Sequence, residues 1–207
     1  MSVGGWAQVP RLDVGLDITK MLPVFQDRGL MVEPFVHGYL KNNFRWRAAV
    51  GYANVEIDTI YRNLNYRNSG WYVKAGVGKQ LAPIFQISTS LIYTSFTETG
   101  TSRLIGSTFG DLIFRASQES RLLGAELALD VRADLSTRWS LNTQGRISTL
   151  LTKPASREFD TFFAPGVGQL QRGNPANNVR KDVVLATGGI SVQIVYRLGQ
   201  PESINKN

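Results

Sequence analysis

The chain has 207 residues, 43% of them hydrophobic, with 23 Lys and Arg against 16 Asp and Glu for a formal charge of +7, and it has no cysteine. That length fits one domain or two small ones, and the lack of thiols excludes a disulfide scaffold and a thiolate metal centre. No run of about 18 apolar residues occurs, which excludes a helical membrane span, and a single histidine, His37, excludes chemistry that needs a histidine cluster.

Residues 1–8 are small or apolar apart from Gln8, and Gly5-Trp6-Ala7 resembles the end of a secretory signal peptide. They are read as a signal remnant or a disordered start, residues 9–199 as the folded domain and 200–207 as a tail. From Arg11 onward, β-branched and aromatic residues alternate with polar ones in segments bounded by turn-forming clusters, with no helical stripe of useful length. Eight strands are predicted, at Arg11 to Lys20, Leu30 to Leu40, Phe44 to Ile57, Ser69 to Leu81, Ile84 to Phe96, Arg121 to Leu135, Arg138 to Leu151 and Asp182 to Gly199. Strands this long suit a tilted membrane crossing, which takes about 9 to 11 residues.

Connection lengths alternate. Short turns fall at residues 41–43, 82–83 and 136–137, and long links at Met21 to Gly29, Asp58 to Asn68, Thr97 to Ser120 and Thr152 to Lys181. An outer-membrane barrel sorts its loops in this way, with tight periplasmic turns and longer outer loops. The fold expected is therefore all-β, an eight-stranded antiparallel up-and-down transmembrane β-barrel in the bacterial outer membrane.

Successive residues of a strand face opposite sides of the sheet. One parity is bulky and apolar, as in Phe44, Trp46, Val50 and Tyr52, or Trp71, Val73 and Val77. The other carries Asp13, Asp17, Glu33, Glu126, Asp130 and Asp134 together with Arg45, Arg47, Lys74, Arg132, Arg146 and Arg197, six acids against six bases. A soluble barrel would bury the bulky face, and a lipid-embedded one would turn it outward. Aromatics near the strand ends, Trp46, Trp71, Phe85, Trp139 and Tyr196, suit interfacial girdles and favour the lipid-embedded arrangement. The charged set is then expected to form an interior ion-pair network, with Arg132 facing Glu126 and Asp130. The excess positive charge falls in the links, where Arg62, Arg67, Arg157, Arg172, Arg180 and Lys181 are candidate contacts for lipopolysaccharide phosphates.

The segments 11–17 (RLDVGLD), 66–78 (YRNSGWYVKAGVG), 159–166 (FDTFFAPG) and 195–199 (VYRLG) resemble an uncharacterised outer-membrane β-barrel family of Bacteroidota, over most of 11–199. The resemblance implies an exported barrel inserted by the barrel assembly machinery, with no activity to carry over.

Catalysis finds little support. His37 is expected to point inward, away from lipid substrate, which leaves a serine–histidine system without its base. Gly76-Val77-Gly78-Lys79 lacks the Ser or Thr and the following helix of a phosphate loop. Glu126 and Asp130 have bases close by, so ion pairing is expected rather than calcium binding or acid–base work. No cofactor or metal is expected, and the scattered bases lack the stacking aromatics of a nucleic-acid site. The function read from sequence is that of a non-enzymatic envelope structural protein or a docking subunit with an envelope protein partner. The alternative is a secreted, soluble calycin-like barrel that binds an apolar ligand in a core made of the bulky face.

Overall fold

A computed structural model describes residues 12–21, 28–40, 42–60, 63–104, 112–152, 161–171 and 186–198. Its strands are β1 (Leu12–Asp17), β2 (Arg28–Val32), β3 (Pro34–Tyr39), β4 (Phe44–Ile60), β5 (Asn63–Gln80), β6 (Phe85–Leu104), β7 (Leu112–Asp134), β8 (Trp139–Leu150), β9 (Thr161–Ala164), β10 (Gly168–Gln171) and β11 (Ala186–Leu198). β2 and β3 both pair with β4 and form one strand interrupted at Glu33, beside Pro34, which lacks the ladder N–H. With β1, β4 to β8 and β11 they make eight antiparallel staves, closed by the β4–β5 and β1–β11 pairings.

The register fixes the tilt. Following paired residues around the wall leads from Val14 through Val36, Ala48, Ala75, Leu91, Ala125 and Thr149 to Ala186. Yet Val14 itself pairs with Tyr196. The offset of ten residues (196 minus 186) is the shear, and for eight staves it corresponds to a tilt of about 40°. The short turns lie together at one rim. At the first of them Asn42 and Asn43 take left-handed backbones, φ 61° and 63°, and Leu40 N–H donates to Phe44 O at 2.7 Å. Asparagine is among the few residues that tolerate this conformation.

The bulky parity faces outward. Val50, Val73, Leu91, Leu127 and Ile147 are exposed on the wall, while Arg47, Lys74, Ser90, Glu126 and Ser148 on the alternate positions are buried. Two aromatic belts bound this apolar surface. The lower holds Phe44, Phe85, Trp139 and Tyr196, with the last two rings 4.8 Å apart, and the upper holds Tyr52, Trp71 and Tyr93, with the last two 5.4 Å apart. Phe44 to Tyr52 and Phe85 to Tyr93 each span eight residues. At about 3.3 Å per residue and about 40° of tilt that is a height of about 20 Å, close to the apolar band of outer-membrane barrels.

Beyond the upper belt the chemistry of the two faces changes over. Outward positions become polar, with Asn54, Ser69, Arg67, Thr97, Glu119 and Arg121. Inward positions gain an apolar cluster, with Val55, Tyr66, Phe96, Ala116 and Leu122 buried beside the polar Asn68, Glu98 and Ser120. β4 to β7 therefore continue past the membrane as a four-stranded platform with its own water-facing surface. This corrects the sequence reading at two links. Residues 58–60 and 63–68, and likewise 97–104 and 112–120, are strand rather than loop, so Glu119 lies in β7. In both cases the polar outer face conceals an extension of the ladder.

The expected first strand also stops early. Continued past Asp17, its outward parity would carry Lys20 into lipid. The chain instead makes a 3-10 turn at Thr19–Met21, and Lys20 is buried inside against Glu33. The link at 152–181 contains the β9–β10 hairpin, which sequence reading treats as plain loop. It enters the barrel mouth and buries Ala164, Val167 and Leu170 in the platform's apolar cluster, with Phe163, Phe114 and Met31 packed against it. Tyr66 OH accepts from Phe163 N–H at 2.9 Å, and Asn68 Nδ2 donates to Phe163 O at 2.8 Å.

Candidate functional site: a layered polar lumen

The lumen is arranged in layers, each built by inward residues of several staves. The middle layer centres on Glu33 at the β2–β3 break. Lys20 Nζ donates to its Oε2, Tyr72 OH donates to the same oxygen at 2.6 Å, and Arg47 Nη2 donates to Oε1 at 3.0 Å. Lys74 lies 3.6 Å from Glu33 and 2.7 Å from Glu126, which also meets Arg146 at 3.5 Å and accepts from Ser148 Oγ at 3.2 Å. Asp17 lies 3.7 Å from Lys20. Tyr72 reaches Glu33 because the wall and the hairpin both make room for its ring. A Cβ at Gly51 would collide with it from one side, and a Cβ at Gly166, where φ is +81°, would stand 2.5 Å from it on the other.

Below this lies a second layer. Arg45 Nη2 donates to Asp130 Oδ2 at 2.8 Å, and Gln144 Nε2 donates to Asp130 Oδ1 at 2.7 Å. His37, fully buried, stacks beside Phe35 with ring centroids 4.7 Å apart, and its Nδ1 lies 3.4 Å from Arg45 Nη1. The lowest layer is at the short-turn mouth. There Arg132 joins Asp134 at 2.7 Å, Tyr39 OH at 3.1 Å and Asp13 at 3.5 Å, and Arg197 lies 3.5 Å from Asp134.

The structure thus places Asp13, Asp17, Glu33, Arg45, Arg47, Lys74, Glu126, Asp130, Arg132 and Arg146 in the lumen, with Arg197 at its mouth. Two expectations change. Arg132 pairs with Asp134, two residues along its own strand, and with Asp13 of β1 across the mouth, rather than with Glu126 and Asp130, which are held by Lys74, Arg146 and Arg45. Asp134 is 58% exposed and belongs to the rim. Sequence reading missed Lys20, whose strand parity pointed the wrong way, and Glu98, which lay inside a presumed loop. Glu98 is buried above the lumen and accepts from Tyr66 OH at 2.7 Å. Among the lipopolysaccharide candidates Arg67 is exposed and 3.1 Å from Glu56, while Arg62, Arg157, Arg172, Arg180 and Lys181 lie outside the described residues. No three metal-ligating side chains converge among the described residues.

No protein-family model matches the chain, and no curated protein sequence matches it. Among solved structures, a major outer membrane protein from Thermus thermophilus is similar with a TM-score of 0.51 at 13% identity, covering 91% of this chain and 98% of that one. Ail, the attachment invasion locus protein of Yersinia pestis, solved with the heparin analogue sucrose octasulfate, gives 0.44 at 10% identity, covering 91% and 97%. Neisserial surface protein A gives 0.36 at 13% identity, covering 91% and 96%. At these identities the likeness, carried by the first of the three, is one of fold.

Proposed function

We propose that this chain is a non-enzymatic β-barrel of the bacterial outer membrane, serving as an envelope structural protein or as a subunit that docks a partner through its external platform. One observation carries the reading, namely an apolar wall between two aromatic belts that encloses a charged, mutually paired lumen. A soluble calycin-like barrel needs the bulky face inside, and that face is outside. The lumen is structural in this reading, since its charges are engaged with one another and its upper end is occupied by the β9–β10 hairpin.

The partners follow from position. Outer-membrane lipid covers the belt, and lipopolysaccharide phosphates meet exposed bases at and above the upper belt, among which Arg67 and Arg121 are described. The barrel assembly machinery inserts the chain. The platform's polar outer face, in β4 to β7, is the surface offered to an envelope protein.

Membrane fractionation with a heat-modifiability gel tests the location and the barrel together. Single-cysteine labelling in vesicles tests the faces. Cysteine at position 50 reacts with a membrane-soluble reagent and resists a water-soluble one, and cysteine at 47 is protected from the lipid-borne reagent. The reverse pattern, or recovery of the chain in the soluble fraction, would overturn the proposal.

A further inference from the structure

Above the membrane β7 outruns its neighbour β8. The two pair from Gly124 downward, and their last ties are Leu151 N–H to Leu123 O and Leu123 N–H to Thr152 Oγ1, both at 2.8 Å. β7 continues to Leu112 with β6 along one side, and among the described residues no strand lies along the other. Leu123 turns its backbone N–H and C=O to the β8 side, so every second residue above it, Arg121, Glu119, Ser117, Arg115 and Ile113, presents both groups to that open edge. An edge of this kind is a template for another strand. Paired residues climb the wall in the direction from β7 to β8, so the open edge faces upward, away from the membrane.

The side chains of the same five residues are all exposed, and their order says which strand fits. Arg115 and Glu119 stand at equal distances on either side of Ser117. An antiparallel strand of identical sequence, centred on Ser117, therefore sets Arg115 opposite Glu119 twice, Ser117 opposite itself and Ile113 opposite Arg121. Sliding one copy by two residues either sets Arg115 against Arg121 or leaves it against Ser117. Glu119 already meets Arg121 of its own strand at 3.1 Å, and a carboxylate has lone pairs for a second donor. We propose that the open edge of β7 pairs with the same edge of a second copy, about a twofold axis at Ser117. The axis relating two antiparallel strands of one sheet is perpendicular to that sheet, and for a barrel wall this direction lies in the membrane plane. The second copy consequently stands in a facing membrane, and the contact joins one outer membrane to another; this rests on the reading of the platform as external. Ser117 is six residues beyond Leu123, which pairs with Tyr93 of the upper belt. At about 3.3 Å per residue and about 40° of tilt it stands about 15 Å above that belt, so the two upper belts would lie about 30 Å apart. A contact limited to one strand edge is weak, and many copies between two surfaces supply avidity.

The test uses the full chain in phosphatidylcholine nanodiscs, one barrel to a disc, with pairing of discs followed by analytical ultracentrifugation. Wild-type discs are expected to pair reversibly, with a substantial paired share at about 0.1 mM. The chain has no cysteine, so Ser117→Cys supplies a single thiol, and oxidation should link discs two by two, whereas Thr97→Cys, outward on the platform but off the edge, should not. Arg115→Glu and Glu119→Arg should each weaken pairing at least about tenfold, since two attractive cross-strand pairs become two repulsive ones. Discs carrying Arg115→Glu, mixed with discs carrying Glu119→Arg, should pair with each other as wild-type discs do, a rescue that a general effect on folding would not give. A heat-modifiability gel checks that every variant folds. Wild-type discs that remain single at about 0.1 mM, or pairing unchanged by both charge reversals, would overturn the proposal. So would disulfide linkage confined to barrels that share one larger disc, which would place the contact side by side in a single membrane. Each of these results leaves the membrane-barrel reading intact, because that reading is decided by the labelling of positions 47 and 50.

Discussion

Replacing Glu33 by leucine removes the carboxylate on which the middle layer converges. Lys20, Arg47 and Tyr72 donate to it and Lys74 lies 3.6 Å away, all in positions closed to solvent. The variant therefore leaves Lys20 and Arg47 without their main anion and leaves Tyr72 OH without its acceptor. Lys74 keeps Glu126. Stranding one charge of a buried pair costs about 3 to 5 kcal/mol. With a urea slope of about 2 kcal/mol per molar, a loss of about 4 kcal/mol moves the unfolding midpoint down by about 2 M. Urea unfolding of the vesicle-inserted barrel, followed by tryptophan emission, measures this. Glu119→Leu serves as the control, because its pair with Arg121 is 61% and 68% exposed and such pairs contribute about 0 to 1 kcal/mol. Equal midpoints for Glu33→Leu and Glu119→Leu would refute the argument that the lumen is held by its ion pairs. Restoration of stability in Glu33→Leu combined with Arg47→Leu would support it, since the second change removes one of the stranded cations.

Val50→Arg, outward and between the belts, should reduce the folded fraction on a heat-modifiability gel by the equivalent of about 2 to 4 kcal/mol, whereas Thr97→Arg above the upper belt should leave it almost unchanged. Leu170→Ala should free the β9–β10 hairpin, with a local loss of about 2 to 5 kcal/mol, and so raise the rate of protease cleavage within 161–171 in intact vesicles without shifting the urea midpoint of the membrane-embedded staves. Arg132→Leu should destabilise the short-turn mouth, because Asp13 loses an arginine. Amide exchange should therefore rise around Asp13 and Tyr39, while the resonances of Glu126 and Asp130 stay in place. In planar bilayers the wild-type barrel should give no steady conductance, since paired side chains fill the lumen of an eight-stranded barrel; reproducible single-channel steps would contradict this.

The membrane-embedded half of the barrel was legible because lipid outside and charge inside impose a strict two-residue alternation, as in Phe44-Arg45-Trp46-Arg47. Above the upper belt the outward positions turn polar and the inward ones mix apolar with polar residues. Phe96, Glu98, Leu122 and Ser120 face in while Thr97, Glu119 and Arg121 face out, so a search for bulky outward residues ends each strand at the membrane surface. The lumen's composition was readable from parity, but its pairings were not. A partner across the barrel depends on shear and tilt, and no local spacing in the sequence encodes these. Lys20 and the β9–β10 hairpin escaped for a related reason, since each takes up its position only because other staves supply Glu33, Tyr72 and the apolar cluster to receive it.

The early end of β1 also divides the wall into unequal joints. The first stave is joined to β3 by five register pairs, Leu12 to Leu16 against Gly38 to Pro34, and to the last stave by six, Leu12 to Asp17 against Leu198 to Gln193, whereas β6 and β7 share twenty. Above Asp17 the 3-10 turn is tied to β11, among the described residues, by Ile18 N–H to Val192 O at 2.9 Å and by Val192 N–H to Thr19 Oγ1 at 3.4 Å. A cylinder fails along its shortest weld. The circumference of this one should therefore part along the edges of its first stave, giving an open sheet that peels from there, and the seating of β1 between β3 and β11 should be the last event when the chain enters the membrane.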